Sequence, residues 1–147
     1  MPGTLAHTPG EIVRRVLIDL GQGSFPVVGS KVAWQVYAEN EPDAPDSVIT
    51  CTTTTGVQGG RIMINGEWSE SNGVQIRVRG ANHTGAWTKI NAIKVALDAA
   101  FRKTISFGDA AYLVWNFSRR NLIAIGNEPE SKRKLYSLNY LITVRQT

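Results

Sequence analysis

The sequence predicts an α+β fold in a single domain over residues 1–147, with two main helices packed on a largely antiparallel β-sheet. Three observations predict it. An amphipathic stretch follows a capping signal near the N-terminus, a second stretch with helical period occupies the middle, and β-branched or alternating segments fill most of the rest. A chain of 147 residues fits one domain and can bury a core without disulfides or metals.

Residues 1–7 read as a flexible N-terminal tail. Thr8 and Glu11 then stand at capping-box spacing, with Pro9 where its missing N–H costs nothing. Ile12, Val13, Val16, Leu17 and Leu20 recur on one helical face, and Gly21 ends the element. Lys31 to Ala38 reads as a strand from its Val, Trp and Tyr content. Glu39 to Ser47 must be irregular, because neither Pro42 nor Pro45 can donate to a ladder. Val48 to Thr55 is a β-branched run and reads as the second strand. A hairpin-like excursion spans 56 to 73, with Asn65-Gly66 as its tight-turn signal.

In Val74 to Arg79, Val74, Ile76 and Val78 point one way and Gln75, Arg77 and Arg79 the other, as in a half-buried strand. A long helix is expected from about Thr84 to Lys103. Ile90, Ile93, Leu97, Ala100 and Phe101 would form its buried stripe, and Asp98 would pair with Arg102 one turn on. Ala111 to Phe117 and Leu122 to Ile125 are strand candidates, and Gly126 to Lys134 is a charged loop. Leu135 to Val144 closes the chain with Tyr136, Leu138, Tyr140, Ile142 and Val144 on one face.

Hydrophobic residues make up 42% and charged residues 19%, so neither a disordered nor a fibrous class is indicated. The formal net charge of +4 permits contact with phosphate without requiring it. The single cysteine, Cys51, excludes an internal disulfide framework and a cysteine-rich zinc site. No stretch approaches the ~18 to 20 apolar residues that cross a bilayer, and no signal-peptide pattern opens the chain. No membrane partner is expected, and the chain reads as made and used in the cytoplasm.

The chemical inventory points away from catalysis. His7 lies in the tail and His83 in the loop before the second helix, neither near a carboxylate cluster in sequence, so no metal site and no acid–base pair is expected. Cys51 stands in a threonine-rich strand with nothing local to lower its pKa. Gly21, Gly23 and Gly29 follow a helix and precede a strand, the reverse of a phosphate-binding loop. We therefore expect no catalytic residue, no cofactor and no metal. Short basic clusters at Arg102-Lys103, Arg119-Arg120 and Lys132-Arg133-Lys134 could serve a subunit contact or a non-specific phosphate contact. Trp115 and Phe117 share a strand face with Leu113, which favours core packing over a stacking platform. Trp68, in a polar and glycine-flanked segment, could anchor a partner or cover the core.

Three segments carry a resemblance. "NEPDAPDSVITC" (Asn40 to Cys51), preceded by the strand around Trp34, resembles the early motif of phage minor capsid and tail-terminator proteins. There a strand leads through a proline turn into an Ile-Thr/Cys strand. "GVQIRVRGANHTGA" (Gly73 to Ala86) resembles the central strand of that family, which runs into a long helix, and "YSLNYLITVR" (Tyr136 to Arg145) looks like its closing strand. The resemblance spans nearly the whole chain, in order, and departs from the family in a longer excursion between Thr55 and Gly73 and in His83, where an aromatic is common. It implies a non-enzymatic virion subunit, assembled in the host bacterial cytoplasm. Such a subunit would form a ring, usually a hexamer, at the head-proximal end of the tail. The implied partners are further copies of itself, the tail-tube protein and a head-completion or connector protein, with DNA passing non-specifically through a lumen. Interface candidates under this reading are Trp68, Arg77, Arg79, Arg119, Arg120, Lys132, Arg133 and Lys134. A head–tail connector or tail-completion subunit, and a small basic nucleic-acid-binding protein, remain as alternatives.

Overall fold

The computed structural model describes residues 6–42, 46–61, 68–107, 110–127 and 133–146, with side chains 55–61, 68–70, 101, 127 and 146 outside the description. Among the described residues two helices and six strands follow one another as α1 (Pro9–Asp19), β1 (Gln35–Ala38), β2 (Val48–Arg61), β3 (Trp68–Gly80), α2 (His83–Asp98), β4 (Phe101–Phe107), β5 (Ala110–Asn127) and β6 (Lys134–Gln146). The strands form one mixed sheet in the order β1-β2-β3-β6-β5-β4. Among the described strands the β1–β2 pairing is parallel and the other four pairings are antiparallel. The architecture is α+β, as the sequence predicts.

Local chemistry sets α1. Thr8 accepts from the Glu11 amide while the Glu11 carboxylate accepts back from Thr8, which satisfies two donors that would otherwise be orphaned. Ile12, Val13, Val16 and Leu17 are buried, and Gly21 follows at a φ of 75°, which suits a residue without a Cβ. For α2 the N-cap is Asn82, whose side chain accepts from the Gly85 amide at 2.7 Å. We expect Asn82→Ala to lower stability by about 1 kcal/mol, the usual worth of a cap, with no change in quaternary behaviour. Thermal unfolding and mass photometry of the variant check both statements.

The helices and the sheet share one core. Ile90, Ile93 and Leu97 of α2 join Ile12 and Leu17 of α1 and the inward residues of β2, β3, β5 and β6 in a single buried cluster. Val74, Ile76 and Val78 face inward as their alternation requires, and Tyr136, Leu138, Tyr140, Ile142 and Val144 do so opposite them. Helix α1 touches β1, β2 and β3 and also β4 at the far edge, so the sheet curls round it.

Several expectations are corrected. The strand expected from Lys31 starts only at Gln35, because Trp34 takes a φ of 65° and breaks the extended run before it. The expected second helix ends at Asp98 rather than near Lys103. Phe101, Arg102 and Lys103 begin β4, where Phe101 pairs with Asn116. Asp98 therefore does not pair with Arg102; it meets Arg119 and Tyr140 instead. The two strands expected after residue 110 are one continuous β5, and β2 and β3 extend as arms through 56–61 and 68–73. The Asn65-Gly66 turn lies outside the described residues, as does most of the 126–134 loop.

Candidate functional site

Several chemistry-bearing side chains are held in structural contacts. Cys51 is wholly buried in β2, and burial pushes its thiol well above the ordinary range, opposed by Arg14 and reinforced by Glu39. A thiol held protonated in this way is a poor nucleophile. The tail residue His7 is not loose: its amide donates to the Tyr112 hydroxyl at 2.9 Å, its Nδ1 lies 2.7 Å from that hydroxyl, and its ring stacks on Phe107 at 4.1 Å. His83 begins α2 with Nδ1 2.8 Å from the Tyr136 hydroxyl. Asp98 accepts from the Tyr140 hydroxyl at 3.1 Å, and burial followed by the charge of Asp98 raises that phenol out of reach of ordinary pH. Among the described residues no group of three His, Cys, Asp or Glu side chains could hold a metal ion. No helix of the described chain is long and apolar enough to cross a membrane.

The basic interface candidates separate into two sets. Arg77, Arg79 and Arg133 lie against Glu41 and Asp46, described residues of the connection between β1 and β2. Glu41 approaches Arg77 Nε at 3.4 Å and Arg79 at 3.9 Å, the Asp46 carbonyl accepts from Arg79 Nε at 3.2 Å, and the Asp46 carboxylate meets Arg133 at 3.3 Å. Arg79 retains 2% of its exposure and Arg133 8%, so neither offers a surface to a partner in this conformation. Arg77 stands half-exposed at the margin of the same patch, between the buried hydroxyl residues Thr50 and Ser137 on neighbouring strands. The alternation of residues 74 to 79 marks the polar face correctly, but a polar face roofed by another segment is not a wet one. The proline-rich composition of 39–47 carries no signal of where that segment lies.

The second set is exposed. Arg119 and Arg120 lie on the stretch of β5 beyond Asn116, where β4 no longer pairs with it. Arg119 also reaches Asp98 at 3.6 Å. Ile123 and Ile125 follow on the same stretch, 42% and 48% exposed. Sequence reasoning missed these two isoleucines as surface residues because they read as an ordinary strand; Ile123 alternates with the inward-facing Leu122 and so stands on the face away from the core. A β-bulge between Val114 and Asn116 turns Phe117 inward while Trp115 and Leu113 stay half-buried on the other face. Trp115 therefore does not share the inward face with Phe117, and the Arg102 guanidinium covers its ring at 5.0 Å. Lys134 is half-buried at the start of β6, whereas Lys132 and the Trp68 side chain lie outside the described residues.

No protein-family model matches the chain, and no curated protein matches it.

The exposed features that remain among the described residues include strand edges and apolar ridges. They comprise the free stretch of β5, the Trp87 ring (43% exposed) packed on Tyr136, and the apolar loop carrying Phe25, Val27, Val28 and Val32 beside Arg14 and Arg15. Such features suit protein–protein contact, where aromatic and arginine side chains anchor and strand edges pair.

Proposed function

We propose that the chain is a ring-forming bacteriophage tail terminator, a structural virion subunit that caps the tail tube and presents a surface to the head or connector. The observation that supports this best is the build around β3. The "VQIRVRG" strand runs directly into α2 and lies beside the "SVITC" strand β2 on one side and the closing "YSLNYLITVR" strand β6 on the other, while parts of β2 and β5 have no outer strand partner among the described residues. These three segments are the ones that resemble the family. In this reading the helices cover the inner face of the sheet, and function is carried by the shape and edges of the subunit, not by bond-making groups. A ring of identical subunits needs head-to-tail contacts whose rotation closes, which stops growth without any reaction.

The test is tail length in a virus lacking the protein. Overlong tails, restored to a single length by the purified protein, are expected. Tails of normal length that fail to join heads would instead favour a connector role, and a virus with normal joined tails would contradict both.

A second reading, a small basic nucleic-acid-binding protein, draws on one feature: Arg102 over Trp115, with Arg119 and Arg120 exposed further along the same strand. Cations beside an aromatic face can hold a phosphate backbone and stack a base. We expect at most weak binding of single-stranded DNA that disappears between low and physiological salt. Tight binding that persists in high salt would move this reading to first place.

A further inference from the structure

We infer that copies of this chain join through their sheets, the free edge of β5 in one copy pairing antiparallel with the free edge of β2 in the next. The inference rests on the ring reading above and names the contact that would build it.

Each edge strand covers only part of its neighbour. On one side, β1 pairs with β2 from Val48 to Cys51, and Glu39 then closes that run: its amide donates to the Cys51 carbonyl at 2.8 Å and its carboxylate accepts from the Thr53 amide at 3.2 Å. From Thr54 to Arg61 the outer edge of β2 has no strand partner among the described residues. On the other side, β4 pairs with β5 only as far as the Phe101–Asn116 step, and Phe117 to Asn127 has no outer partner among the described residues.

These two gaps lie diagonally across the sheet. Following the register, Phe117 of β5 stands level with Ile142, Asn72 and Gly56, so the gap in β2 extends from about that level in one direction and the gap in β5 in the other. The two strands run in opposite directions within the sheet. Two copies in the same orientation, one displaced along the strands, would therefore meet as an antiparallel pair. About eight residues of ladder could form, roughly 27 Å of strand. Each gap is bounded by a stop, Glu39 behind β1 for β2 and the start of β4 for β5, so the register has little freedom.

Head-to-tail pairing is favoured over like-to-like pairing for two reasons. It consumes both free edges of every copy and can close, whereas two-fold pairing of β5 with β5 leaves both β2 edges open. It also sets Arg119 and Arg120 against the uncharged Gly56–Gly60 stretch, whereas β5 against β5 would gather four guanidinium groups in one ladder.

Cysteine pairs test this, and the buried Cys51 does not interfere. The full chain carrying Thr54→Cys with Ile125→Cys should give a ladder of oxidised oligomers, while either single variant gives none. Ile125→Cys alone forming dimers would overturn the pairing in favour of a two-fold one. A wild-type ring whose double variant, and Thr54→Cys with Ile123→Cys, both stay uncrosslinked would overturn the edge contact while leaving the ring reading in place. A strictly monomeric wild type would remove both. Ile123→Lys with Ile125→Lys, exposed changes that spare the core, should weaken self-association at least tenfold with an unchanged unfolding midpoint; an unchanged association constant would count against the contact.

Discussion

Leu138→Ala should lower the stability of the chain by about 3 kcal/mol, the middle of the range for emptying a fully buried leucine site. Leu138 has no exposed surface and lies in register between Ile76 of β3 and Leu122 of β5, on the inward face that the helices cover. Three strands and the core cluster thus meet at this side chain, and strands held in a ladder cannot collapse far into the space it leaves. Urea unfolding should show a lower midpoint with an unchanged slope. As a control, Thr104→Ala on the exposed face of β4 should shift stability by less than about 0.5 kcal/mol. A loss at Leu138 no larger than that of the control would show that β3, β5 and β6 do not share one packed face.

Arg79→Ala should cost nearly as much, about 3 kcal/mol, for a different reason. Its guanidinium is buried, and it holds the Glu41 carboxylate and the Asp46 carbonyl against the sheet. Removing one partner of a buried charged group leaves the other without compensation, which costs more than the pair itself contributes. Glu41 keeps Arg77 and is partly open to water, which limits the loss. The change should also release the segment between β1 and β2, because Arg133 alone would then tie Asp46 down. Hydrogen exchange at the Trp34 amide, which donates to the Ser47 carbonyl at 3.0 Å, should quicken more than exchange in β6. A variant of wild-type stability with unchanged exchange would mean that the buried arginine is not what fastens this segment.

Much of the fold is written locally. The capping box of α1, the alternation of Val74, Ile76 and Val78, and the inward run from Tyr136 to Val144 depend on residues a few positions apart, and each appears where its pattern places it. What escaped was set by contacts distant in sequence. Ala99 and Ala100 are good helix formers and no glycine or proline marks the end of α2, so the helix stops only because Phe101 to Phe107 finds β5 as a partner. The bulge that separates Trp115 from the face of Phe117 leaves no mark in the composition of β5. His7 precedes the capping box of α1 and so read as tail, yet its partners, Phe107 and Tyr112, lie a hundred or more residues on.

The candidate surface was legible in part. Arg119 and Arg120 are exposed as their clustering suggested, but Arg79 and Arg133 are buried by a segment whose path no local signal records. The unpaired edge of β5 beyond Asn116 is visible only once the length of β4 is known, since exposure of a strand edge is a property of its neighbour.

The most direct test of a subunit that works by assembling with itself is the mass distribution of the purified chain across concentration. Mass photometry at physiological salt should show a single closed oligomer, a hexamer under the proposed tail-terminator reading, growing at the expense of monomer as concentration rises. A monomer at every concentration, or an unbounded series of sizes with no preferred number, would contradict it.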